Sequence, residues 1–204
     1  YSSGVLRNLN TDIEQMALLR ERGESALGEF SISIESSFFV ENTFGFNNVN
    51  TKTFILMLAS YGPRSFISGA PVDLAKTLKD ANRTEFHHLM PKAFLRSSKK
   101  TGWDESILAN FAFLSRADNR EIGGVAPSIY RKKMPIDVTE ILKAALTSEV
   151  LFSDDYTKFV EDRAEKLAKA AAHLCDVAVE TSSWKLRLQL REVFSLSVTG
   201  LSIT

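Results

Sequence analysis

The chain has 204 residues, with 25 Lys and Arg against 25 Asp and Glu, a hydrophobic fraction of 44%, and one cysteine. This length suffices for one domain, or two small ones, with a real core; zero net charge means that any affinity for a polyanion must come from a local patch. A single cysteine excludes a disulfide framework and a cysteine-built zinc site, and no apolar run of about 18 residues marks a transmembrane helix.

In chain order, residues 4–29 set Leu6, Leu9, Ile13, Met16 and Leu19 at helical spacing, with Gly23 placed to kink or end the helix. The next stretch, "FSISIESSFFVENTFGFNNVN", is rich in Phe and Ser and broken by Gly45 and four asparagines; its pattern fits neither helix nor strand. "TKTFILMLASYG" predicts a short buried helix stopped at Gly62-Pro63, and "PVDLAKTLKD" another. Between residues 84 and 130 the texture changes: "TEFHHL" predicts a strand, "MPKAFLRSSKKTGWDES" a loop, "ILANFAFLS" a second strand, and "RADNREIG" a short helix stopped at Gly123-Gly124. "DVTEILKAALTSEVLF" predicts a helix with Asp137 as N-cap. "DDYTKFVEDRAEKLAKAAAHLCDVAVE" predicts a long amphipathic helix that buries Cys175 and leaves His173 packed or on the surface. The tail "WKLRLQLREVFSLSV" fits strand or helix equally. The expected fold is mainly α, in the α+β class, with a small ββα island set in a helical body. Three regions follow, 1–82, 83–131 and 132–204, together expected to form one compact domain. A start on Tyr1 in mid-helix style suggests a piece of a longer protein, and without a signal-peptide pattern the expected compartment is the cytoplasm.

Chemistry concentrates in the island. The chain has only three histidines, and two of them, His87 and His88, stand together at the end of the first predicted strand, followed by Pro91. Imidazole is the one side chain whose unperturbed pKa lets it take and give protons near neutral pH, and it ligates divalent metals. Asn110 lies in the second predicted strand and Asn119 on the short helix after it. An asparagine carbonyl is a hard oxygen donor of the kind magnesium accepts. Either asparagine could also serve structurally, Asn110 as a loop-stabilising amide and Asn119 as a cap or turn residue.

"EFHHLMPKAFL" followed by "SILANFAFLSRADNREIGGVAPSIY" resembles the HNH, or His-Me finger, nuclease motif with its ββα-metal fold. The likeness is closest to the C-terminal nuclease modules of bacterial modification-dependent restriction proteins, both GmrSD-type enzymes and phosphorothioation-sensing effectors. The second segment also resembles the HNH module of RNA-guided CRISPR nucleases. The match spans about residues 84–130, and the flanking helices resemble the helical body of the same restriction proteins more weakly. The resemblance implies that His88 is the general base activating water and that His87 and Asn119 hold a divalent metal. It gives Asn110 the task of holding the loop that carries the base. Two departures stand out: the last motif residue is Asn rather than His, and His87 replaces the usual acidic ligand. Magnesium is the implied ion, and with the softer donor set manganese, nickel or another softer ion could serve as well or better.

What the resemblance implies is hydrolysis of a DNA phosphodiester in bacterial restriction and anti-phage defence, by one site that nicks one strand. Double-strand breaks would need paired nicks or a dimer. In the resembled proteins, recognition of the modification lies in an N-terminal NTPase-like domain, and this chain has no Gly-rich phosphate loop of that kind. Charge points the same way. Between Arg83 and Lys133 ten Lys and Arg face five Asp and Glu, an excess of five within a neutral chain. Lys92, Arg96, Lys99 and Lys100 on the predicted loop, and Arg116 and Arg120 beside Asn119, are the expected DNA contacts, giving salt-sensitive and largely sequence-independent affinity. Trp103 is expected to anchor the loop rather than stack on a base. The alternatives are a DNA-binding or assembly module that keeps the fold without turnover, and a ribonuclease on the same fold.

Overall fold

The computed structural model describes residues 5–28, 33–79, 86–97 and 102–180. Lys99, Lys100, Arg83, Glu85 and the tail from residue 181 lie outside them. The chain is mainly helical with one small sheet, an α+β arrangement. It divides into two compact units between Ser33 and Ile34. No helix among the described residues is long and apolar enough to cross a membrane.

The first unit is helix α1 (Val5–Arg22) and the turn after it. Gly23 ends the helix at φ +73 with its N–H on Leu19 O at 3.0 Å, a left-handed conformation that glycine adopts without steric penalty. A 3-10 turn at Ala26–Gly28 follows, tied back to α1 where Ala26 N donates to Gln15 Oε1 at 2.8 Å.

In the second unit, α2 (Phe38–Glu41) is a single turn, and α3 (Val49–Ser60) starts where the Asn48 side chain accepts the N–H of Asn50. Thr51, Phe54, Ile55, Met57 and Leu58 of α3 are buried, and Gly62-Pro63 ends it as its sequence predicts. Then come α4 (Leu74–Lys79), β1 (Phe86–His88), α5 (Lys92–Ser97), β2 (Phe111–Phe113), α6 (Arg116–Ile122), α7 (Pro127–Tyr130), α8 (Thr139–Ala144) and α9 (Tyr156–Glu180). β1 and β2 pair antiparallel, with Phe86 opposite Phe113, His87 opposite Ala112 and His88 opposite Phe111. Strand alternation sets Phe86, His88, Phe111 and Phe113 on one face and His87 with Ala112 on the other.

The Phe-rich stretch that carries no regular pattern covers the first of these faces. Phe44 stacks on Phe111 with centroids 4.1 Å apart and planes 11° apart, and reaches Phe86 at 5.7 Å. Phe46 meets Phe86 edge-on at 6.0 Å. Thr43 bridges Ile107, with Phe44 N on Ser106 O at 2.8 Å and Leu108 N on Asn42 O at 2.9 Å. Aromatic packing and main-chain pairing with a distant partner form this segment, and neither leaves a local periodicity.

On α9, Tyr156, Phe159, Val160, Arg163, Ala164 and Leu167 are buried, the i, i+3, i+4, i+7 stripe of a helix facing a core. Four expectations need correction. The predicted loop after His88 contains α5, which begins directly after Pro91 with Leu95 N on Pro91 O. "ILANFAFLS" is a strand only at Phe111–Phe113, because Leu108–Asn110 form a 3-10 turn. The helix predicted from Asp137 through Phe152 breaks after Ala144: Leu146 turns left-handed at φ +51, and Glu149–Ser153 form a 3-10 turn. The Asp137 carboxylate does accept the Thr139 N–H at 2.9 Å. Cys175 is half-buried rather than buried, and His173 is exposed.

Candidate active site

The backbone that leaves β1 is held in place residue by residue. Leu89 N continues the ladder to Asn110 O at 2.8 Å. The Asn110 side chain then pairs with the peptide of Met90: its Oδ1 accepts Met90 N at 2.9 Å, and its Nδ2 donates to Met90 O at 3.1 Å. A third bond runs from Nδ2 to Glu105 O at 2.9 Å. Asn110 is fully buried, so only an amide, with donor and acceptor on one planar group, satisfies this set without leaving an orphan. Tyr130, also fully buried, donates its hydroxyl to Leu89 O at 2.8 Å. The two residues that follow His88 are thus clamped by Asn110 and Tyr130.

Arg163 supports the same junction from α9. Its guanidinium donates to Ala109 O and Phe111 O, each at 2.6 Å, and to Ala145 O at 3.2 Å, while Nε lacks a partner among the described residues. Ala109 and Phe111 flank Asn110, so the planar fork of Arg163 fixes the step from 3-10 turn to strand that presents the amide. Burial pulls the guanidinium pKa down to about 9; with three carbonyl acceptors it stays protonated at neutral pH. Burial likewise holds the Tyr130 hydroxyl pKa well above its ordinary range, so the group stays protonated and able to donate to Leu89 O.

His88 is half-buried on the Phe-covered face, its ring 4.2 Å from that of Phe111. Burial pushes its pKa down to about 4; the Lys92 charge adds to the shift and Glu105 opposes it. The ring is therefore neutral at pH 7, the state a general base requires. Nε2 is buried and finds no partner among the described residues. His87, also half-buried, lies on the opposite face of the strand.

Asn119 sits on the second turn of α6, half-buried. It does not cap the helix: Ser115 does, accepting the Asp118 N–H at 3.0 Å. The side chain of Asp118 is buried, receives the Ser65 hydroxyl at 2.8 Å on Oδ1, and leaves Oδ2 without a partner among the described residues. This bond ties α6 to the segment after α3.

Of the expected DNA contacts, Arg116 and Arg120 are exposed around Asn119. Lys92 and Arg96 meet a carboxylate instead: Arg96 bonds Glu105 Oε1 at 2.7 Å, and Lys92 lies 3.4 Å from it while donating to Ser106 Oγ at 3.1 Å. The Arg96 hydrogen bond, then Lys92, hold the Glu105 carboxyl below its usual range. Trp103, the expected anchor of the loop, is 38% exposed. Tyr156 holds the same loop, its hydroxyl donating to Asp104 O at 2.8 Å.

Sequence reading missed Arg163, Tyr130 and the Ser65–Asp118 bond. For Arg163 a signal exists: it falls four residues after Phe159 and four before Leu167, on the apolar stripe, where a cation is out of place unless it has internal acceptors. Tyr130 and Ser65 carry no comparable pattern.

His87, expected to ligate a divalent ion, carries an imidazole nitrogen on β1, and Asn119, its expected partner, an amide oxygen on α6. Both are donors such ions accept, and two protein donors leave positions for water and phosphate oxygens. Among the described residues no group of three or more His, Cys, Asp or Glu could hold a metal. No protein-family model, curated protein or solved structure matches the chain.

Proposed function

We propose that the chain is a metal-dependent, HNH-type endonuclease that nicks DNA, acting in bacterial restriction of foreign DNA from the cytoplasm. His88 takes the proton from the attacking water. Asn110 positions His88 through the Leu89–Met90 backbone, and Arg116 and Arg120 contact phosphates. When bound, a divalent ion held by His87 and Asn119 would supply positive charge to the leaving 3′ oxygen; magnesium, manganese and nickel are the candidates. In the full-length protein, an NTPase-like sensor domain would license cutting.

The observation that carries this proposal is the Asn110 clamp. A buried asparagine from the edge of β2 that holds both polar groups of Met90 is what an asparagine in the middle of the motif is expected to do for the loop after the base. The order β1, β2, α6, with Asn119 on the helix, supports it as well. One observation favours the alternative of a silent DNA-binding module: an imidazole shifted to about 4, with its Nε2 buried, is a weak base.

Supercoiled plasmid incubated with Mg²⁺, Mn²⁺, Ni²⁺ or EDTA tests the proposal. Open circle should form with metal, vanish with EDTA, and fail to form with His88→Ala or Asn119→Ala while DNA binding persists. Plasmid left intact by every metal, with binding retained, would establish the binding module. A parallel assay on RNA separates the ribonuclease.

A further inference from the structure

An open groove of about 600 Å³ runs beside the C-terminal end of α8 and the middle of α9, and none of the candidate active-site residues lines it. Its lining combines Tyr61, Leu142 and Leu146 with Lys143, Lys166, Lys169 and His173 and one carboxylate, Glu149. Asp162 engages Lys166 at 2.7 Å, while Lys143, Lys169 and His173 are exposed and form no ion pair among the described residues.

Three features set the groove apart from ordinary surface. The Tyr61 ring is fixed, since its hydroxyl donates to Ala170 O at 3.1 Å. Thr147 Oγ1 is buried in the wall without a partner among the described residues. Leu146 stands at φ +51 in the helix-ending motif closed by Thr147 N on Leu142 O at 3.0 Å, a position where glycine is the unstrained choice. The Leu146 side chain both packs against the core and lines the groove.

We propose that this groove binds a nucleoside phosphate, with the base against Tyr61 and Leu146 and the phosphates at Lys143 and Lys169. The volume falls in the range of single small-ligand sites, which are mostly apolar with a few placed polar groups. A flat aromatic ring suits a base, and ammonium groups suit phosphate oxygens. Duplex DNA would call for cations on open surface and would make no use of an apolar lining.

Titration of the wild-type chain with methylanthraniloyl-ATP, followed by fluorescence, tests this by binding alone and so stands or falls independently of nuclease activity. Saturable binding is expected, displaced by ATP and at least about tenfold less well by tripolyphosphate or by adenosine. The double variant Lys143→Ala/Lys169→Ala, both exposed and therefore neutral for folding, should weaken it by about tenfold or more. Absence of saturable binding overturns the proposal, as does indifference to the double variant. Tripolyphosphate competing as well as ATP would make the groove a simple anion site, and displacement by duplex DNA at low salt would make it a DNA-contact surface; either result refutes the proposal.

Discussion

Replacing Asn110 with Asp exchanges one atom and tests the clamp beneath the proposed base. The Asp oxygen that replaces Oδ1 still accepts Met90 N. The other faces Met90 O and Glu105 O, at 3.1 and 2.9 Å in the wild type. An ionised carboxylate there opposes two carbonyl oxygens in a fully buried site, so the cheaper state is the protonated acid, which donates to one carbonyl and abandons the other. Holding a carboxyl of ordinary pKa near 3.9 protonated at pH 7 costs about 4 kcal/mol, and one lost buried hydrogen bond adds about 1 kcal/mol. The sum, about 5 kcal/mol, is comparable to the entire stability of a marginal domain. The sign follows from linkage: the folded pKa is raised, so this loss is absent below the unfolded pKa and grows as pH rises. Urea unfolding of wild type and Asn110→Asp at a series of pH values measures the difference, and because Asn110 does not titrate, every other group cancels. The gap should shrink to roughly 1–2 kcal/mol near pH 4. A variant within about 1 kcal/mol of wild type at pH 7 would refute the claim that this amide is the buried support of the His88 loop.

Arg163→Ala leaves three buried carbonyls without this donor and should lose about 3–5 kcal/mol in urea unfolding, with Arg163→Met losing less because its long apolar side chain fills much of the space that alanine leaves empty. Metal-free protein should lose stability as pH falls from about 6.5 to 4. Over that window the unfolded chain protonates the His88 imidazole while the folded one, shifted to about 4 by burial and Lys92, does not. The loss is on the order of 3 kcal/mol, and His88→Gln should flatten this limb of a thermal-denaturation pH series. Gly124→Ala would set a Cβ 2.8 Å from Ala93 Cβ and should destabilise by about 1–3 kcal/mol through overpacking, read as a drop in melting temperature.

Which parts of this were legible in the sequence follows the reach of the interactions. α3 and α9 announce themselves through local spacing, and Gly23 and Gly62 through punctuation, because helices are written in neighbours three and four residues apart. The two-strand pairing was legible in outline, yet β2 shrank to three residues because Asn110 and its 3-10 turn obey long-range bonds to Met90 and Arg163. The Phe44–Phe111 stack left no local trace. The helix break at Leu146 was missed for the opposite reason: its signature residue, glycine, is absent from the position that calls for it. At the site, residue types named the candidates, but only the folded structure exposed the engagement of Lys92 and Arg96 with Glu105 and the burial of His88 Nε2.

The fork of Arg163 also sets an order of events during synthesis. Its acceptors lie 54 and 52 residues earlier in the chain, so the segment bearing His88 and Asn110 emerges from the ribosome well before the cation that holds Ala109 and Phe111 in place. A nascent chain that ends within α8 has the whole ββα segment and lacks this prop. The step from 3-10 turn to strand that presents Asn110 is thereby left unbraced until α9 has been made and has docked.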